Sequence, residues 1–366
     1  MRILILNWRD IKNPSAGGAE KLTFELAKRW VKWGHQVTWF TAGFSGSKPE
    51  DKLEGIKIIR KGYWWSVQLF AAFYYLTQAK HEVDIVIDEV HWFPFFSRLY
   101  APSKTILLVC ETATELFPRL FPRIIAGLLI FLEQVYFYLY RKMPVLAISS
   151  STRDSLVKQG FSKQNITVIP MGISKPVHLS RLPKEACPTL VFLGRLHPLK
   201  GTEEAIRALK MVKDRFPHAC LWIIGTGSSH YLYYLTKLTQ SLNLTNSVRF
   251  YGFVTEKRKY ELLSRAHLLL VPSFQEGWGL IVSEAALVKT PSVSYRAAGL
   301  RDALEDGKTG ILVNPQVESL AEATVKLLTQ KQIYREIQQN AYQKALRSNW
   351  DISAKTTLAI LKRLFR

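Results

Sequence analysis

The chain has 366 residues, 48% of them hydrophobic and 22% charged, and carries a formal charge of +21. That length suits two domains, and that composition excludes a disordered or low-complexity protein. The positive excess is spread evenly, with 25 Lys+Arg against 15 Asp+Glu in residues 1–187 and 25 against 14 beyond, so no basic tail or arm is present. Such a field attracts nucleotides, nucleic acid or an anionic membrane surface. No helix-turn-helix, zinc-finger or RNA-recognition signature accompanies it, so anionic substrates or a membrane surface are expected ahead of nucleic acid.

In chain order, residues 2–7 read as a buried strand and 18–33 as a helix with Leu22, Leu26, Trp30 and Trp33 on one face. Gly34 ends that helix. Strands are predicted over residues 36–41, 56–60, 85–88, 105–109, 145–149 and 166–169. A polar, proline-rich stretch then interrupts the pattern, and alternation restarts with strands at 189–193, 220–224, 248–250, 268–271, 292–295 and 311–313. Residues 317–366 look all-helical. The fold class expected is α/β, with two Rossmann-like, doubly wound domains facing a central cleft. The boundaries are 1–172 for the first domain, 173–187 for a linker and 188–345 for the second domain, with residues 346–366 forming a helix that packs back toward the first.

Met1-Arg2 runs directly into a strand-like ILILN, so no secretory signal is expected. Residues 62–79 and 124–140 are apolar enough to suggest membrane spans, but both sit near the lower length limit and Glu133 interrupts the second. Helices packed on a sheet are expected instead, with surface contact to a membrane left open by the Trp, Tyr, Lys and Arg around them. Cys110, Cys187 and Cys220 are widely spaced and odd in number, which gives no disulfide framework or zinc spacing and fits a reducing cytosol.

The most informative stretch is FQEGWGLIVSEA, residues 274–285. It follows an apolar strand, turns through Glu276-Gly277-Trp278-Gly279 and opens a helix near Leu280. Bare backbone N–H groups at such a turn suit a phosphate. Glu284 lies about one helical turn further in. Two acids eight positions apart around this turn point to a diphosphate joined to something rich in hydroxyls, although an ordinary strand–helix junction would read the same way. Arg195 and Lys200 stand five apart in GRLHPLKG at another strand end, where two fixed cations would neutralise a diphosphate. Gly225-Thr226-Gly227 and Gly252-Phe253-Val254 end further strands and would offer backbone contacts to a ribose or base. In the first half, the paired Gly17 and Gly18 open a helix after the first strand, with Ser15 as a candidate cap. Glu111 and His91 sit where that domain should face the cleft, though a His beside Trp92 and Phe93 is more often packed than catalytic.

Together SAGGAEKLTFELAKRWVKWGHQV, VIPMGI, FLGRLHPLKG, IIGTG, GFVTEKRKYELLSRAHLLLVPS, EGWGLIVSEA and GLRDALEDGKTGILV resemble the family 4 nucleotide-sugar glycosyltransferases, retaining enzymes of the GT-B fold. The resemblance covers nearly the whole chain and rests chiefly on the EGWGLIVSEA element. It implies an acceptor-side first domain and a donor-binding second domain. Glu276 and Glu284 would be the paired acids of the family, the first on the donor sugar and the second on the ribose hydroxyls. Arg195 and Lys200 would bind the diphosphate, amides of Gly277, Trp278, Gly279 and Leu280 would surround sugar and phosphates, and Gly17 and Gly18 would close on the phosphate. Many relatives carry a histidine that touches the donor sugar where this chain has Cys110, followed by Glu111.

The function expected is therefore a metal-independent, retaining transfer of a hexosyl group from a UDP- or GDP-linked sugar. The acceptor would be a glycan or lipid-linked hydroxyl, and the enzyme cytoplasmic or at the inner face of the membrane. Glu276, Arg195 and Lys200 are the expected catalytic residues, and Gly17, Gly18, Gly227, Val254, Gly277, Trp278, Gly279, Leu280 and Glu284 the donor-binding ones. Cys110, Glu111 and His91 are placed on the acceptor side. No cofactor and no metal is called for: there is no Asp-x-Asp motif, and two cations already stand on the phosphate side. A sugar-nucleotide-binding protein that has lost turnover is the alternative, with a basic nucleic-acid-binding protein a distant third.

Overall fold

Short runs of branched and aromatic residues set the architecture, because a strand covered on both faces has no polar side to spare. In the computed structural model, which describes residues 1–175 and 182–365, these runs build two parallel sheets. The chain divides into two compact units, Met1–Gly172 with Asn349–Arg366, and Ile173–Ser348. Residues 176–181 of the expected linker lie outside the described residues.

The first unit contains β1 (Arg2–Leu6), β2 (Gln36–Thr41), β3 (Glu50–Leu53), β4 (Ile56–Arg60), β5 (Ile85–Val90), β6 (Thr105–Val109), β7 (Val145–Ala147) and β8 (Ile166–Val168). They lie in the order β3-β4-β2-β1-β5-β6-β7-β8, parallel throughout except for the β3–β4 pair. Strand β3 was not expected, since EDKL has no apolar alternation. Its register is fixed by the two-residue turn Glu54-Gly55, both at positive φ (49° and 82°), the geometry that matches hairpin twist. The helices here are α1 (Gly18–Lys32), α2 (Val67–Tyr74, continued by a π-helical turn Tyr75–Ala79), α3 (Ser97–Tyr100), α4 (Phe117–Leu120), α5 (Arg123–Tyr140) and α6 (Ser150–Lys158). Helix α1 buries Leu22, Leu26 and Trp30 at helical spacing and stops before Gly34, whose φ of 84° no other residue adopts as cheaply. Among the described residues one helix, α5, is long and apolar enough to cross a membrane.

The second unit contains β9 (Thr189–Leu193), β10 (Cys220–Ile224), β11 (Val248–Gly252), β12 (Leu268–Val271), β13 (Ser292–Tyr295) and β14 (Ile311–Val313), in the order β11-β10-β9-β12-β13-β14. All of its pairs are parallel. Its helices are α7 (Thr202–Arg215), α8 (Ser229–Ser241), α9 (Glu256–Arg265), α10 (Leu280–Leu287), α11 (Ala298–Ala303), α12 (Val317–Thr329) and α13 (Lys331–Arg347). Leu190, Leu209, Ile223 and Leu320 form one core, while Val191, Leu269, Val282 and Leu300 form another. The sheet is thus covered on both faces. A last helix, α14 (Trp350–Leu364), packs on α1 in the first unit, where the Trp30 indole N–H donates to the Ala354 carbonyl at 3.0 Å. Gly172 passes so close to it that a Cβ there would lie 2.5 Å from the Trp350 nitrogen.

Both sheets reverse their winding beside their first strand: β1 lies between β2 and β5, and β9 between β10 and β12. Open α/β sheets bind ligands outside the carboxyl ends of strands at such a reversal. In the second unit the loops concerned are those leaving β9 and β12. These loops carry Arg195, Lys200 and Glu276.

Candidate functional site

The loops at the reversal in the second unit interlock through bare backbone. Phe274 donates its N–H to the Leu199 carbonyl at 2.9 Å, and the Ser273 hydroxyl bonds the Gln275 carbonyl at 2.8 Å. A Cβ on Gly201 would lie 2.0 Å from the Pro272 oxygen, and one on Gly225 would lie 1.8 Å from the Gly194 oxygen. Gly227 is packed likewise, with 2.2 Å left to the Leu196 oxygen, so its smallness already serves the junction of two loops. Gly279 is the N-cap of α10, at φ 87°. The N–H groups that open a helix carry partial positive charge, which suits an anion; that of Val282 already bonds the Gly279 carbonyl at 3.0 Å.

On this frame the structure joins Lys200 to Glu276. The ammonium Nζ donates to Glu276 Oε1 at 2.7 Å, with the two side chains 25% and 17% exposed, accessible yet largely screened. Arg195 is exposed on the same loop, one residue past Gly194. Burial, then the charges of Arg195 and Lys200, hold the His197 imidazole below its ordinary value. Glu284, on α10, accepts from Lys259 of α9 at 2.8 Å, and Glu256 accepts from the same ammonium at 3.1 Å. Burial works against the charge on Lys259, but Glu284 and Glu256 outweigh it and its pKa rises. Lys259 does not stand out in the sequence. Nothing in the run TEKRKYE sets it apart from its basic neighbours, and only its burial against Glu284 does. Val254 is half-buried just before α9, whose cap is the Thr255 hydroxyl.

The other candidates belong to the first unit. Gly17, not Ser15, caps α1: its N–H donates to Glu20 at 2.6 Å, and Gly18 is the first helical residue. Arg9 holds the other Glu20 oxygen at 3.0 Å and the Ser15 carbonyl at 2.8 Å. His91 stacks on Trp8 with ring centroids 6.3 Å apart, and its Nε2 is shut away from solvent with no partner among the described residues. Burial pushes that imidazole down to about 4, so it is neutral at physiological pH. Cys110 is buried at the end of β6. Burial first, then Glu89, Glu111 and Glu20, hold its thiol well above the usual range, so it is a neutral, weak donor. Glu111 beside it is exposed.

Glu89, at the end of β5, was not singled out in the sequence. It is fully buried and accepts from Asn7 and Thr23. Burial raises its pKa to about 8, against the two hydrogen bonds, with Glu20 and Asp88 adding to the rise. The folded chain therefore keeps a proton that the unfolded chain releases near pH 4.5. Stability is fully present below that pH and falls by up to about 1.4 kcal/mol per pH unit until the folded group ionises near 8. Between pH 6 and 8 the melting temperature of the wild type is expected to fall roughly 3–6 °C further than that of Glu89→Gln. Parallel melting profiles would show that Glu89 is already ionised in the fold.

Two family models match the chain: Glycosyltransferase Family 4 over residues 16–175 and Glycosyl transferases group 1 over residues 179–344. Among curated relatives, glycogen synthase of Mycobacterium tuberculosis is 31% identical over 188 residues, 50% of this chain and 45% of its own. D-inositol 3-phosphate glycosyltransferase 2 of Catenulispora acidiphila is 30% identical over 190 residues, 50% of this chain and 44% of its own. The matched stretch thus spans less than half the length of these relatives. Sucrose-phosphate synthase from Thermosynechococcus elongatus superposes with a TM-score of 0.80 at 18% identity, covering 100% of this chain and 99% of its own. Anabaena HepE, solved in complex with UDP and glucose, gives a TM-score of 0.76 at 18% identity over 99% and 100% of the two chains. At that identity the structural likeness establishes the fold alone, which is GT-B.

Proposed function

The chain belongs to glycosyltransferase family 4, and from that premise we propose that it moves a hexosyl group from a nucleoside diphosphate sugar to an acceptor hydroxyl, with retained anomeric configuration. The observation that carries this reading is the Lys200–Glu276 pair beside the glycine-capped start of α10. The leaving diphosphate gains negative charge as the glycosidic bond breaks. Lys200, Arg195 and the amides that open α10 would receive that charge, Lys200 after exchanging its Glu276 partner for the bound diphosphate. Glu276, which Lys200 holds in the ground state, is free to turn toward the sugar once the diphosphate takes up the ammonium. Glu284, which accepts a hydrogen bond from Lys259, would take the ribose hydroxyls. The two acids both serve donor binding, so no glycosidase-like acid and base pair is assigned. The cations supply the charge, and the proposal asks for no metal.

HepE was solved with UDP and glucose and, separately, with UDP-glucose, which supports a uridine donor here. A lipid-linked saccharide is the proposed acceptor and would place the enzyme at the cytoplasmic face of a membrane. A thermal-shift panel of UDP, GDP and ADP with their glucose conjugates tests the donor. A ligand at about 100 times its Kd should add roughly 2.7 kcal/mol, a rise of several degrees. No shift with any of them would overturn the donor assignment. A second reading, donor binding without turnover, is favoured by the neutral thiol of Cys110. Donor-dependent stabilisation with no donor hydrolysis and no transfer would select it.

A further inference from the structure

The helical layer over one face of the first sheet is apolar on both of its sides. Val86 and Val90 point to the same side of β5; the first joins the core beneath α2 and the second the core beneath α5, so both helices lie on that face. Inward, α5 commits Tyr136, Phe137 and Tyr140 to the sheet. The Tyr140 hydroxyl donates to buried Asp88 at 2.9 Å, the Tyr136 hydroxyl to the Trp92 carbonyl at 2.6 Å, and Glu133 accepts from the Ala113 N–H and the Thr114 hydroxyl. Outward, Ile124, Leu128, Phe131, Val135 and Tyr138 recur at 4-3-4-3 spacing and stand 45–89% exposed. A helix on a sheet in water turns its polar side outward. This one does not.

The pattern repeats on α2 and its π-helical turn, where Leu69, Phe73 and Leu76 are more than half exposed. Tyr63, Trp64 and Trp65 precede it, each 65–68% exposed. A contiguous apolar face of this kind marks an interaction site. The charges around it identify the partner. Lys61 and Lys80 bracket the α2 segment, which contains no acid, and exposed Arg123 and Lys142 bracket α5, whose single acid is the inward Glu133. Exposed acids return only beyond these segments, at Glu82 and Glu115. Apolar faces with a Trp/Tyr cluster and a rim of cations are the chemistry of a helix lying in the headgroup region.

We infer that α2 and α5 seat the first unit on an anionic lipid bilayer, both helices lying in its surface. The inward hydrogen bonds hold α5 to the sheet, so it rests on the membrane and does not cross it. This deepens the lipid-side reading of the acceptor and rests on that reading for its role in catalysis, though not on the donor chemistry.

The test is sedimentation of the full chain with vesicles of phosphatidylcholine plus phosphatidylglycerol, and of phosphatidylcholine alone. Wild type is expected to pellet with the anionic vesicles. The double variant Leu128→Gln/Phe131→Gln should bind at least about tenfold more weakly. Arg123→Gln/Lys142→Gln should lose roughly thirtyfold, about fivefold per cation, on anionic vesicles only. Nucleotide-dependent melting shifts should match wild type in both variants, since neither touches the second unit. Wild type remaining in the supernatant, or variants pelleting like wild type, would overturn the inference. So would a dimer in solution that Leu128→Gln/Phe131→Gln converts to monomer without any vesicle binding. Vesicle binding with no nucleotide shift would sink the donor assignment and leave the docking face standing.

Discussion

Replacing Lys200 with alanine is expected to lower turnover by about a hundredfold, the usual result of removing one charge-stabilising group aimed at a developing anion. Lys200 closes a short 3-10 turn, Pro198–Lys200, which His197 caps by accepting the Leu199 N–H at 3.3 Å. Its ammonium is delivered to Glu276 at 2.7 Å by the loop that Phe274 and Ser273 tie to Leu199. In the ground state the pair is partly solvated, so its loss should cost the fold less than about 1 kcal/mol. A nearly unchanged melting temperature with a collapsed kcat would therefore locate the effect in the transition state. Lys200→Arg should recover part of the rate, because it keeps the charge but brings a wider, planar group. Equal kcat values for wild type and Lys200→Ala would remove Lys200 from the chemistry.

The parts of this protein that sequence made legible are those in which one physical requirement dominates. Runs such as TILLV, TLVFL and LLLV are short, apolar throughout and β-branched or leucine-rich, which favours strands buried on both faces, and their alternation with amphipathic helices implied two parallel sheets. The strand-to-helix turn at Glu276–Gly279 was readable because its glycines follow an apolar run and precede a helix, a pattern that an ordinary junction shares. Strand β3 was not readable, since EDKL sits at an edge and has no apolar alternation; the Glu54-Gly55 turn was its only signal. Lys259 and Glu89 were missed for a related reason. Their character comes from what packs against them, Glu284 in one case and Asn7 with Thr23 in the other, at separations of 25 residues for the first and 66–82 for the second. The outward apolar stripe of α5 was visible as hydrophobicity, but a sequence does not say which side of a helix the sheet has already taken.

Gly299→Ala should cost about a hundredfold in donor-dependent activity although its side chain would touch no proposed ligand. Gly299 lies in α11 and donates its N–H to the Glu276 carbonyl at 2.9 Å. A Cβ there would lie 2.3 Å from the carbonyl carbon and oxygen of Gly277 and 2.4 Å from the Glu276 oxygen. These are backbone atoms, so no flexible side chain can swing aside, and the turn must move by roughly 1 Å to restore ordinary contact distances. A displacement of that size at a positioned group is worth about 10²-fold. Overpacking should also lower stability by about 1–3 kcal/mol, and the two effects separate by comparison with Gly307→Ala. Gly307, unlike Gly299, has a positive φ, 72°, with open space around its Cβ direction and no part in this turn. It should lose stability through backbone strain and keep its activity. If Gly299→Ala retains wild-type kcat/KM at a temperature where it is fully folded, the position of the Glu276 turn does not control the reaction. The charge on Lys200 would then act without the geometric support that α11 provides.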